Sequence, residues 1–175
     1  MAIALEQEQP PVLQLTEHQQ RRVWDGWFRS EVRAQYFAAL AGRYDRYQTT
    51  VTWLTLISSS SAVVAILAGL PGKLSLAAPF LALLTSGISF YSLARQLEKK
   101  AAQARDLHTQ WSKLADRYRD LWENMYDERA TTRLAELDEK AIELGELGTF
   151  FPAKEKLIQK MHANVQRDLD FITGR

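Results

Sequence analysis

Cysteine is absent from the 175-residue chain, which excludes disulfides and thiolate metal sites. Catalytic vocabulary is missing as well. His18, His108 and His162 stand far apart, and no HExxH, Walker, GxSxG or nucleotidyl-transfer pattern occurs. Glu136, Asp138, Glu139 and Glu143 are close enough in sequence to suggest a metal cluster. With Arg133 and Lys140 nearby as pairing partners, a solvated helix face is the better reading. No enzyme, no cofactor and no metal site is therefore expected. The opening MAIALEQEQPPV has no basic leader, no apolar stretch of signal-peptide length and no small-residue cleavage site, so the first apolar run is expected to stay in the mature protein.

Charge is the other thing the chain lacks, and only in its middle. Between Arg46 and Lys73 there are 26 uncharged residues, and from Leu74 to Ala94 another 21. A bilayer core about 30 Å thick needs roughly 20 apolar helical residues, so each run is long enough to span one. Leu70-Pro71-Gly72-Lys73 between them favours a turn over one continuous helix. The net charge of +1 and the 46% hydrophobic content conceal this, because an ordinary soluble protein shows the same averages. The reading is a transmembrane hairpin. The alternative is a soluble helical hairpin inside a larger bundle, which the Ser and Thr content of the first run keeps open.

Flanking residues orient the hairpin. Arg43 and Arg46 precede it and Arg95, Lys99, Lys100 and Arg105 follow it, against Lys73 alone at the tip. The positive-inside rule then places both termini in the cytoplasm. Tyr44, Tyr47, Phe90 and Tyr91 lie where aromatic rings favour the headgroup zone. Within the spans, Thr49, Thr52, Thr55 and Ser59 share one helical arc, and Thr85, Ser89 and Ser92 belong to a second stripe of small and hydroxyl residues. Such stripes either pack membrane helices together or line a water-filled path. These seven are the pore-lining candidates. No charged ring accompanies them, so any pore would be weakly selective or gated by a hydrophobic constriction.

The expected fold is all-α: a flexible tail over residues 1–13, a cytoplasmic amphipathic helix over 14–46, the hairpin over 47–94 with spans at about 48–70 and 74–94, and a cytoplasmic helical region over 95–175. Thr16 and Gln19 have capping-box spacing for the first helix. Its bulky apolar face carries Trp24, Trp27, Phe28, Val32, Tyr36, Phe37 and Leu40. After the second span a long helix is expected to about residue 129. In it Leu97, Ala104, Trp111, Tyr118 and Met125 recur every seven, interleaved with Leu107, Leu114 and Leu121. Leu107, Trp111, Leu114, Tyr118 and Leu121 are candidates for an oligomer seam, with an intramolecular bundle as the equal alternative. Further on, Thr131 is expected to cap a helix, Gly145 and Gly148 to weaken it, Phe150-Phe151 to form an apolar hinge and Pro152 to open a last helix.

This layout resembles the SLATT family, the two-transmembrane effectors associated with SMODS nucleotidyltransferases and SLOG domains in bacterial conflict systems. The resemblance covers about residues 20–172. It is carried by AQYFAALAGRYDRYQTTVTW, the short-looped hairpin and SLARQLEKKAAQARDLHTQWSKLADRYRDLWENM. It implies an antiviral, abortive-infection effector in the bacterial inner membrane, forming a homo-oligomeric pore. It also implies control by a nucleotide or oligonucleotide signal from a nucleotidyltransferase encoded nearby. A tetramer is the working number, although Trp111 and Tyr118 at seam positions fit more than one assembly. A polyanionic signal would find Arg21, Arg22, Arg29 and Arg33 on the first helix, since a guanidinium fork donates two hydrogen bonds to phosphate. A solvated amphipathic helix would carry the same arginines. Two other functions compete with the channel: a non-conducting membrane-anchored scaffold and a ligand-independent, holin-like toxin.

Overall fold

Reciprocal capping starts the first helix. The Thr16 backbone N–H donates to Gln19 Oε1 at 2.8 Å and the Gln19 N–H donates to Thr16 Oγ1 at 3.3 Å. Two backbone donors that helix geometry would leave orphaned are thereby satisfied. From that cap α1 (Glu17–Ser59) runs 43 residues, about 65 Å at 1.5 Å per residue. It passes through Gly26 and Gly42 without a break. The computed structural model describes residues 15–59, 87 and 96–173. Three more helices follow among them: α2 (Leu97–Glu123), α3 (Ala130–Gly148) and α4 (Glu155–Thr173). The protein is all-α, with no strand among the described residues.

Helix ends depart from the sequence expectation in instructive ways. The helix expected to reach about residue 129 stops at Glu123. There the Asn124 side-chain amide donates to the Asp120 carbonyl, and Asp127 Oδ1 accepts from the Arg129 N–H, so short polar side chains compete for backbone groups. Thr131 lies inside the first turn of α3 and does not cap it; Arg129 holds the N-cap position without a side-chain cap bond. Gly145 is tolerated within α3, which ends at Gly148. The Phe pair divides, Phe151 being buried and Phe150 80% exposed. Pro152 precedes α4 by three residues, and the Lys154 carbonyl receives that helix's first backbone bonds. At the start of α2, Gln96 adopts φ 45°, the left-handed region that a non-glycine residue seldom occupies.

The chain divides into two units. One combines Met1–Tyr36 with Leu107–Arg175, and the other is Phe37–Asp106. The first is a four-helix assembly. Within it α1 and α2 run antiparallel: Trp24 meets Trp122 at 5.6 Å between ring centroids, and His108 Nδ1 lies 2.9 Å from the Ala34 carbonyl. The Tyr36 hydroxyl donates to the Pro152 carbonyl, and Phe28 packs edge-on against His162 of α4. Leu107, Trp111, Leu114, Tyr118 and Leu121 are all 4% exposed or less. Those five seam candidates are thus buried within the bundle of a single chain, as the intramolecular alternative for the heptad would have them.

The second unit contains the end of α1 and the beginning of α2. Leu40, Ala41, Ala101 and Ala104 are buried there, and Arg105 pairs with Asp45 at 3.0 Å. Gln48, Val51 and Thr52 line one open groove together with Gln96, Leu97 and Ala102. The two helices are therefore antiparallel neighbours within this unit also. Past Arg46, α1 exposes large apolar side chains: Tyr47 is 61% accessible, Trp53 62% and Leu54 44%. Among the described residues no helix is long and apolar enough to cross a membrane. Apart from Gly87 and the stretch of α1 through Ser59, the expected spans lie outside the described residues, as does the tail expected over residues 1–13.

Candidate functional site

Four arginines on one helix need not share a face, and at 100° per residue they do not. Arg22, Arg29 and Arg33 fall within about 40° of one another around α1, whereas Arg21 stands about 100° from Arg22. The structure follows that geometry. Arg21 pairs with Glu17 one turn away, both side chains about four-fifths exposed, an arrangement worth ~0–1 kcal/mol. Arg22, Arg29 and Arg33 instead line one groove of about 450 Å³ in the four-helix unit.

The groove has a polar base. The buried Tyr118 hydroxyl of α2 donates to Asp138 Oδ1 of α3 at 2.7 Å, and the other carboxylate oxygen of Asp138 pairs with Arg22. Burial pushes the Tyr118 phenol well above its ordinary value, with the hydrogen bond to the Asp138 carboxylate adding to the shift. Arg33 lies with its guanidinium carbon 4.7 Å from the Trp111 ring centroid, a cation–π distance. It crosses α3 at Gly145, where a Cβ would come within 3.2 Å of its Nη1. Loss of hydration, and then the like charge of Arg29, lower the Arg33 pKa from its ordinary value. The residue is nonetheless exposed to solvent. Arg29 and Arg33 have no carboxylate partner in an ion pair among the described residues.

A pH response follows from Tyr118. As pH rises through 10 an unfolded tyrosine loses its proton while the folded protein retains that of Tyr118. The native state then binds more protons than the unfolded state, and stability falls as pH rises. Urea midpoints taken between pH 9 and 11 should decline less steeply in Tyr118→Phe than in the native chain. The same variant should lose roughly 1–3 kcal/mol at neutral pH, because a hydrogen bond to a carboxylate disappears.

The remaining site candidates are dispersed. Thr49 and Thr52 are exposed on α1 and Thr55 is half-buried. The hydroxyls of Thr52 and Thr55 donate to the Gln48 and Val51 carbonyls of their own helix at 3.0 and 2.9 Å. Ser59 is the last residue of α1, and Thr85, Ser89 and Ser92 lie outside the described residues. Of the acidic group on α3, Asp138 alone reaches the groove, while Glu143 pairs with Lys140. Arg133 turns to Asp120 and Asp127 instead. No three His, Asp or Glu side chains converge on a metal position among the described residues. Sequence reasoning missed Tyr118, Asp138 and Gly145 as groove residues, since only the packing of α2 and α3 on α1 brings them there. No protein-family model, curated protein or solved structure matches the chain.

Proposed function

We propose that the chain is a membrane-anchored, all-α effector of bacterial antiviral defence: a homo-oligomeric pore of the inner membrane, with both ends on the cytoplasmic side, gated by a nucleotide signal from a partner nucleotidyltransferase. The observation that carries the membrane part is the second unit. In it the end of α1 lies beside the antiparallel start of α2, with Trp53 and Leu54 exposed on α1. Between those helices lies the almost uncharged sequence of residues 60–94, with Lys73 its one charge. Antiparallel neighbours joined by such a segment are what a two-span hairpin requires. The exposed Trp53 and Leu54 support that reading, since lipid would cover them. The pore and its signal rest on the resemblance to SLATT effectors.

A non-conducting anchor is the second reading. It is favoured by the Thr52 and Thr55 hydroxyls, which already have partners on their own helix and do not need water. Ion flux through liposomes carrying the full-length chain separates the two. A pore should release a trapped potassium gradient, and Thr52→Leu with Thr55→Leu should change the rate at least severalfold. Inserted, oligomeric protein that stays silent before and after nucleotides are added would leave the anchor as the function.

A further inference from the structure

A positively charged surface is ordinary on a helical bundle, but the groove beside α1 is not an ordinary surface. Two guanidiniums one turn apart on the same helix repel each other, and solvated side chains at such spacing normally diverge. Here Arg33 is held in place, its guanidinium over Trp111 and passing the bare backbone of Gly145. The space that a larger residue at 145 would fill is occupied by the arginine head. Arg22 is already matched by Asp138, which leaves Arg29 and Arg33 facing the groove against one solvent-exposed carboxylate, Asp25. The arginine head rests on an aromatic floor. Trp111 lines the groove and is 2% exposed, and its indole N–H is the one buried side-chain polar atom without a hydrogen-bond partner among the described residues.

We infer that the groove between α1, α2 and α3 is a binding site for a phosphate group, held by Arg29 and Arg33 over Trp111. A phosphate meets each requirement. It supplies up to two negative charges for two guanidiniums and enough oxygens for both forks. A lone carboxylate offers one charge and two oxygens and would leave the second arginine uncompensated. Arg22 serves as a positioning residue: through Asp138 and Tyr118 it ties α1, α3 and α2 together at the base of the groove. This inference deepens the gating part of the function proposed above, but binding does not depend on whether the chain conducts.

The phosphate can belong to a soluble molecule or to a lipid headgroup, and two arms of one experiment distinguish these sources. The full chain is placed in phosphatidylcholine nanodiscs and titrated with pyrophosphate and with adenosine triphosphate, following binding by calorimetry and thermal unfolding by circular dichroism. In the second arm phosphatidic acid replaces part of the phosphatidylcholine and no soluble phosphate is added. Saturable binding should raise the melting temperature by roughly 5 °C at a hundredfold excess over Kd. Arg29→Glu and the milder Arg29→Gln, each checked for native helix content, should weaken binding tenfold or more. Arg33→Lys, which keeps the charge and loses the fork, should also weaken it. Arg21→Glu should bind as the native chain does, because Arg21 stands off the groove and pairs with Glu17. Stabilisation in the lipid arm alone, lost in the same variants, would assign the phosphate to a headgroup. Absence of any response in both arms, or an equal loss in Arg21→Glu, overturns the site. Binding that leaves ion flux unchanged would keep the site and defeat the gating.

Discussion

Gly26→Ala is expected to destabilise the protein by about 2 kcal/mol, although alanine is the better helix former by ~1 kcal/mol at an exposed position. A Cβ at residue 26 would lie 2.5 Å from Tyr118 Cε1 and 2.6 Å from its Cζ, closer than real Cβ contacts come. The ring lines the groove but is tethered there. Tyr118 is 1% exposed, and its hydroxyl is fixed by Asp138, which is itself held by Arg22. Relief by moving the ring would sacrifice the hydrogen bond, and relief by moving α1 would open the four-helix core. Gly26→Val should cost more again, since a branched side chain adds bulk toward the same ring. Gly42 in the same helix has nothing within 4 Å of the place a Cβ would take, so Gly42→Ala should stabilise by ~0.5–1 kcal/mol. Urea unfolding of the full chain in detergent, followed by circular dichroism, checks both signs. A double-mutant cycle with Tyr118→Leu locates the cause: in that background the Gly26→Ala penalty should largely vanish. An unchanged penalty would show that the Tyr118 ring is not what the glycine accommodates.

Membrane partition gives the second large effect. Trp53→Asp combined with Leu54→Asp should move the chain from the membrane pellet toward the soluble or aggregated fraction. Aspartate at the middle of a span costs about 3 kcal/mol on insertion scales, less toward the ends, while leucine contributes favourably. Two such changes near the start of the proposed span amount to several kcal/mol, a factor of about a hundred in insertion. Ile142 provides the control. It is 66% exposed on α3, a helix bearing many charges, and Ile142→Asp should leave fractionation unchanged. If the Trp53 and Leu54 substitutions leave the chain in the pellet after carbonate extraction, lipid is not what covers the end of α1.

Local signals in the sequence were the ones that translated into structure. Thr16 and Gln19 specify the start of α1 because both partners of the cap lie within one turn. The heptad in α2 identifies buried positions correctly, since Leu107, Trp111, Leu114, Tyr118 and Leu121 all fall on one face. Periodicity alone could not say whether that face meets another copy or the chain's own helices. The end of α2 was less legible: Asn124 and Asp127 take backbone partners that propensity does not anticipate. The groove was half visible. Helical spacing already separates Arg21 from Arg22, Arg29 and Arg33, but their counterparts come from far away. Arg22 and Asp138 are 116 residues apart, and Asp138 looks like one more solvated acid until α3 is laid against α1.

Because the chain has no cysteine, single introduced thiols report topology without background. The decisive measurement labels Gly72→Cys, at the expected hairpin tip, and Ala153→Cys, exposed between α3 and α4, with a membrane-impermeant maleimide on bacterial spheroplasts before and after permeabilisation. The account predicts that Gly72→Cys reacts in intact spheroplasts and that Ala153→Cys reacts only once the membrane is opened. Protection of both sites until permeabilisation, with the chain released by carbonate, would contradict the membrane hairpin.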